Sequence, residues 1–313
     1  MQSRTVDIEE ADVFIAGQRV HFLRAGSGRP LILLHGLVGS LRNWRHNIGT
    51  LAESATVYAL DLPNMGESDR VHGLDAGLEA TADRVLAFMD ALGLETADIA
   101  GHSHGGAVCL TLAARHPNRV SRLILFAPAN PFCDLGRHLI RFYESGPGHL
   151  FARLIPAMPR WSKSIALGRM YGDPARVAPD TLDGYTAGLE VRGTIDHVLD
   201  IIRRWTSDMA QLRSVLPALA EKPALLIWGD RDRAVGLDSA RRLQSILLRS
   251  NLIVLPGVGH IAFEETPHLC NRAMLDFLTA PAPAMASSPE LARSPATARS
   301  DQPVSGKLTS TAA

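Results

Sequence analysis

An α/β fold with a mostly parallel sheet and a helical insertion is what this sequence predicts, and three observations predict it. Short apolar runs recur along the chain, amphipathic stretches separate them, and one long segment carries no strand pattern. The runs are residues 31–34, 57–60, 97–100, 123–126, 224–228 and 252–255. Runs that are apolar at every position suit strands covered on both faces, as in parallel sheets. Between them, residues 78–92 set Ala82, Val85, Leu86, Met89 and Leu92 at helical spacing. Residues 107–115, 239–247 and 267–278 repeat that pattern. Strands alternating with helices imply right-handed parallel crossovers. The start differs: residues 12–15 and 19–24 flank Ala16-Gly17-Gln18, which predicts an antiparallel hairpin.

Residues 130–216 form the segment without strands. They are punctuated by Pro156, Pro159, Pro174 and Pro179 and hold eight of the chain's 17 aromatic residues. An α-helical cap is expected there, at the strand ends where open α/β sheets bind ligands. The expected division is therefore a core of residues 1–129 and 217–279, a helical cap at 130–216 and a tail at 280–313. In the tail 23 of 34 residues are Ala, Ser, Pro or Thr. Too few large aliphatics remain to offset ordering entropy, so disorder is expected.

Composition excludes several function classes. The 32 basic and 32 acidic residues cancel, so the basic excess of a nucleic-acid binder is missing. Nothing in that balance calls for an anionic membrane surface as partner. No apolar run approaches the roughly 20 residues of a membrane span, and residues 1–7 hold no signal-peptide apolar stretch. Cys109, Cys133 and Cys270 form no CxxC pair. An odd, unpaired set fits a reducing compartment, so a cytoplasmic location is expected.

The sharpest chemical signal is Gly101-His102-Ser103-His104-Gly105, between the run at 97–100 and a helix. A serine on a tight strand-to-helix turn is pushed out at the strand's end, and glycines at both flanks let the elements approach. The alternative, a dinucleotide loop, lacks the glycine spacing a pyrophosphate needs. Ser103 is the candidate nucleophile, and it needs a base and an orienting acid. Most of the 12 histidines fall in helix-like stretches or near turns, where exposure is expected. His260 follows the last strand in Gly257-Val258-Gly259-His260 and is the candidate base. The acid is sought between the two, after the strand at 224–228, in Gly229-Asp230-Arg231-Asp232. Asp232, further into the loop, is chosen; Asp230 is expected to fix the turn, and Asp134 ranks third. For the oxyanion, the amide after the nucleophile, that of His104, is one donor and that of Leu37 the second. His35, beside it, is expected to hold the loop rather than shuttle protons. The histidines flanking Ser103 project apart without a carboxylate or cysteine cluster, so no metal is assigned.

With these residues the chain resembles the α/β-hydrolase family over roughly residues 13–278. The matching pieces are His35-Gly36, the stretch from Asp61 to Ser68, the elbow at Ser103, Gly229-Asp230-Arg231-Asp232, Gly257-Val258-Gly259-His260 and the following Phe263-Glu264-Glu265-Thr266-Pro267. The resemblance implies the same acid, Asp232, and a cap at 130–216. Asn64 replaces a family glycine in a turn where asparagine tolerates positive φ. His104 stands where many members carry methionine. Serine argues against the branches that use an aspartate nucleophile. Carbon–carbon hydrolases of ring-fission products resemble the chain too, but they typically have asparagine where His102 stands. The expected function is a serine carboxylesterase acting on a small or medium apolar ester, with no cofactor. Carbon–carbon hydrolysis of ring-fission diketones ranks second, and a non-catalytic small-molecule receptor on the same fold third.

Overall fold

The computed structural model describes residues 7–133, 137–178 and 180–280. Its strands are β1 (Ile8–Ile15), β2 (Gln18–Ala25), β3 (Arg29–Leu34), β4 (Ala55–Leu60), β5 (Ala97–His102), β6 (Val120–Phe126), β7 (Ala224–Gly229) and β8 (Ser250–Leu255). The core helices are α1 (Ile48–Leu51), α2 (Leu78–Ala91) and α3 (His104–Arg115). After β6 come α4 (Arg137–Glu144), α5 (Gly146–Leu154), α6 (Arg160–Gly168), α7 (Thr181–Glu190) and α8 (Thr194–Val215). The chain then returns through α9 (Leu237–Gln244), α10 (Ala262–Glu265) and α11 (Pro267–Thr279).

The predicted hairpin is present. Ala16 and Gly17 both have positive φ, 50° and 80°, which turns the chain with the twist that β1 and β2 require. All eight strands form one sheet in the order β1-β2-β4-β3-β5-β6-β7-β8. The pairs β1–β2 and β2–β4 are antiparallel, and every pair from β4 to β8 is parallel. The runs of β3 to β7 are buried on both faces because successive side chains point to opposite sides of a covered sheet. The run at 252–255 is not, because β8 is the edge strand and leaves Val254 exposed. Ile32 and Leu34 join Phe88 of α2 and Leu112 of α3 in one core layer. Leu31 and Leu33 join Trp44, Phe126 and Phe263 in the other. Fully burying side chains of this size contributes about 1.5–3 kcal/mol each.

Between β6 and β7 the described residues form only helices, 3₁₀ turns and loops. The insertion is anchored by α8. Its Leu212 packs in the sheet core, while Val198, Ile201 and Ile202 near its start pack with Leu37 and Val38 after β3. Asp134, Pro179 and the tail beyond Ala280 lie outside the described residues. No helix among the described residues is long and apolar enough to cross a membrane.

Candidate active site

Leu37, Ser103, Asp232 and His260 follow β3, β5, β7 and β8. Parallel strands end on one edge, so the topology gathers these residues there, the edge at which such sheets bind ligands. Ser103 has φ 50° and ψ −116°, a conformation rare for a residue with a side chain. Three backbone bonds impose it: Ser103 N–H donates to Phe126 O at 3.0 Å, and Ser103 O accepts from Ala107 at 3.1 Å and Ala129 at 2.9 Å. The flanking glycines are required by space. A Cβ at Gly101 would lie 2.5 Å from Cys109 Sγ, and one at Gly105 would lie 2.3 Å from His35 O. Ser103 Oγ makes no capping bond to the helix it precedes, and the turn fixes where its Cβ stands.

His260 is fixed at three points. Its Nδ1 meets Asp232 Oδ2 at 2.7 Å, its N–H donates to Met170 O at 2.7 Å, and its carbonyl accepts from His102 Nε2 at 3.1 Å. Asp232 is oriented in turn, because its Oδ1 accepts the N–H groups of Ala234 and Val235 at 2.8 and 2.9 Å. Asp230 points elsewhere: its Oδ1 accepts Gly257 N–H at 2.7 Å and so closes the loop before His260. Of the two aspartates, it is Asp232 that touches the histidine.

The loop after β3 lies against the elbow. A Cβ at Gly36 would sit 3.3 Å from Ser103 Cβ and 2.7 Å from His102 Nδ1. His35 holds this loop, as its Nε2 accepts Leu62 N–H at 2.9 Å and its Nδ1 donates to Gly36 O at 2.8 Å. Burial keeps that ring neutral, pushing its pKa down to about 4. Among the described residues, neither Leu37 N–H nor His104 N–H donates to a protein acceptor. The Asp61 turn backs the loop: its carboxylate accepts the N–H groups of Leu41 and Glu67, each at 2.7 Å. Asn64 has φ 58° and closes the same turn through both its side-chain groups on Val71.

The expectation that most histidines are exposed is wrong for His21, His102, His104 and His197, whereas His35 holds its loop as expected. His21, His35, His102, His104 and His197 are all buried. His21 and His102 lie on strands β2 and β5 and His104 and His197 on helices α3 and α8, all under neighbouring layers that no local pattern reveals. Burial pushes the pKa of His104 down to about 3 and that of His197, on α8, to about 4. His102 is likewise lowered by burial and by the nearby ring of His260, 4.6 Å away between centroids. The sequence reading also gave no role to Met170, Glu264 and Glu265. Only the two adjacent acids in the stretch after His260 mark the latter pair, and their partners in the insertion and in the segment after β3 lie about 80 to 220 residues away in the chain.

Comparison with known proteins agrees with this architecture. The family described as alpha/beta hydrolase fold matches residues 29–267. The dihydrolipoyllysine-residue acetyltransferase component of the acetoin cleaving system of Pseudomonas putida is 31% identical over 267 residues, covering 84% of this chain and 68% of that protein. The 2-hydroxy-6-oxo-6-phenylhexa-2,4-dienoate hydrolase of Burkholderia cepacia is 30% identical over 282 residues, 88% of this chain and 96% of that one. A meta-cleavage product hydrolase from Pseudomonas fluorescens IP01 superimposes with a TM-score of 0.74 at 25% identity, over 86% of this chain and 97% of that one. With a family match that spans most of the sheet and every strand end described above, the chain belongs to the α/β-hydrolase family.

Proposed function

We propose that the protein is a serine hydrolase that cleaves a small or medium apolar carboxylic ester through an acyl-enzyme intermediate. The observation that carries this reading is the 2.7 Å bond from His260 Nδ1 to Asp232, on the sheet edge that also bears Ser103. With its Nδ1 proton held by the carboxylate, His260 keeps its lone pair on Nε2, the form a general base needs. His260 takes the hydroxyl proton as Ser103 Oγ bonds to the ester carbon. The carbonyl electrons move to oxygen, and the N–H groups of Leu37 and His104 receive that charge. Collapse breaks the carbon–oxygen bond, and His260 returns its proton to the departing alcohol. Water then loses a proton to His260, attacks the acyl group and releases the carboxylic acid and Ser103. Asp232 stabilises the imidazolium in both halves. The chemistry uses no cofactor.

The insertion serves in this reading as a cap over the site. Its apolar contact with the oxyanion loop, through Val198, Ile201 and Ile202, suits an apolar substrate portion. A second reading is favoured by the relatives named for ring-fission products: hydrolysis of a carbon–carbon bond in a vinylogous 1,5-diketone. Its leaving group is a carbon that must be protonated, whereas an ester leaves as an alcohol. The deciding experiment compares p-nitrophenyl acetate and butyrate with such a diketone, using Ser103→Ala as control. Ester turnover at least about tenfold above diketone turnover in kcat/KM supports the first reading. The reverse order supports the second, and no turnover of either overturns both.

A further inference from the structure

Two adjacent carboxylates, Glu264 and Glu265, lie behind the site with side chains 1% and 0% exposed. The mechanism above does not use them. Glu265 Oε2 accepts Gly259 N–H at 2.8 Å and Gly172 N–H at 3.0 Å. Its Oε1 accepts Asp173 N–H at 3.1 Å and Arg176 Nη1 at 3.2 Å. One carboxylate therefore joins the residue preceding His260 to two consecutive amides of the insertion. The joined backbones are in direct contact. A Cβ at Gly259 would lie 2.4 Å from both Gly172 N and Met170 O, and one at Gly172 would lie 2.3 Å from Gly257 O. Met170 O is also the acceptor of the His260 N–H.

Glu264 faces the other catalytic loop. Its Oε1 accepts Asn43 Nδ2 and Tyr185 OH, each at 3.0 Å, and its Oε2 accepts Arg45 Nη1 at 2.8 Å. Asn43 Oδ1 receives Ser40 N–H at 2.8 Å, which holds the segment following Leu37. Tyr185 belongs to α7 of the insertion, and Arg45 reaches Asp180 and Thr181 at its start. Neighbouring side chains thus tie the insertion to the base loop on one side and to the oxyanion loop on the other.

We infer that Glu265, with Glu264 beside it, is a positioning residue: it sets His260 through the seated insertion, so the base is in place only when the insertion is docked. The inference rests on His260 being the base. Packing alone does not explain the arrangement, because apolar side chains would glue the same surfaces without desolvating two charges. What a carboxylate adds is direction, through charge-assisted bonds to fixed amides. Misplacing a reacting group by about 1 Å can cost about 100-fold in rate.

The test uses Glu265→Gln, close in shape but carrying a donor where Asp173 N–H and Arg176 need an acceptor. Proton NMR follows the Nδ1–H of His260 that bonds Asp232, a signal independent of any substrate. Amide exchange follows Gly172, Asp173 and Gly259. Kinetics on p-nitrophenyl acetate separate kcat from KM, and circular dichroism checks that the variant is folded. The expected result is a broadened or shifted Nδ1–H signal, faster exchange at the three amides, and kcat lower by about 10- to 100-fold with KM within about twofold. Arg176→Leu, which removes one half-exposed donor and leaves the backbone bonds, should move the same readouts in the same direction by about two- to fivefold in kcat. A folded Glu265→Gln with an unchanged Nδ1–H signal overturns the inference. So does a kcat loss that follows the unfolded fraction and vanishes on cooling. If Glu265→Gln does not fold, an Arg176→Leu protein with wild-type Nδ1–H and exchange overturns it. A wild-type protein without esterase activity refutes the ester reading instead, and the NMR and exchange results still decide the role of Glu265.

Discussion

Ser103 and His260 should act as one unit, since a serine hydroxyl without its base and a base without its nucleophile are equally idle. Ser103→Ala and His260→Ala should each remove nearly all ester turnover, and the double variant should be little slower than either single one. A His260→Ala protein keeping more than about a tenth of wild-type kcat would contradict the base assignment. The two aspartates separate by partner. Asp232→Asn leaves the loop amides an acceptor but presents the wrong hydrogen-bonding pattern to His260 Nδ1, so kcat should fall by orders of magnitude with the fold intact. Asp230→Asn weakens the bond to Gly257 N–H and should cost about 1 kcal/mol of stability with kcat largely kept. Activity assays with thermal melts on both variants check this, and the opposite pattern would reverse the assignment.

In the proposed reading the elements set specificity, the strand ends holding the chemistry and the insertion capping them. The apolar start of α8 against Leu37 and Val38 predicts an apolar acyl pocket. With one leaving group, kcat/KM should rise from acetyl to butyryl or hexanoyl esters, by up to ~0.8 kcal/mol per methylene while each is buried. A flat or falling series would point to a small polar substrate or a non-ester reaction. The contact between the His260 loop and the insertion makes a second demand. Gly259→Ala drives a Cβ to 2.4 Å from two backbone atoms of the insertion, neither of which is a flexible side-chain end. Its melting point should drop by the equivalent of a few kcal/mol. An unshifted melt would mean that the two loops part more easily than their close approach suggests.

Acid sensitivity is a property of the whole folded unit. His35, His104 and His197 have pKa values pushed by burial to about 4, about 3 and about 4, against an ordinary value near 6.5. Between those values the unfolded chain binds more protons than the folded one. Their contribution is complete above pH 6.5 and is lost as pH falls toward 4 for His35 and His197 and toward 3 for His104. At about 1.4 kcal/mol per unit, each histidine places on the order of 3 kcal/mol at risk. Asp61 works in the opposite sense: burial raises its pKa to about 6 from 3.8, so the folded state gains as pH falls through that range. Burial raises Asp98, Asp208 and Glu264 in the same sense as Asp61 and lowers His102 in the same sense as the other rings. The imidazoles are displaced furthest, which leaves acid destabilising. Calorimetry should record a melting temperature that falls steadily from pH 7 to pH 4.5, with a shallower slope in His104→Leu. A melting temperature constant over that range would refute the buried, neutral state of these rings.

The sequence by itself determined what local sterics and periodicity can encode. Apolar runs at 31–34, 123–126 and 224–228 have the length and character of strands buried on both faces, and they are. Gly101 and Gly105 around Ser103 marked a turn that no larger residue enters, and Ala16-Gly17 marked the hairpin. Tertiary structure alone decided what depends on distant partners. The sheet order, with β4 between β2 and β3, follows from which edges meet in space. The sequence already favours Asp232 for its place further into the loop, but its contact with His260, and that of Asp230 with Gly257 instead, follow from where the loop after β8 lands. Five histidines besides His260 are buried because other layers cover them, and Glu264 and Glu265 meet their partners in the insertion only because the chain has folded back on itself. A backbone's local preferences are written within a few residues, whereas a hydrogen bond spanning 93 residues, as from Gly172 to Glu265, exists only once the layers have packed.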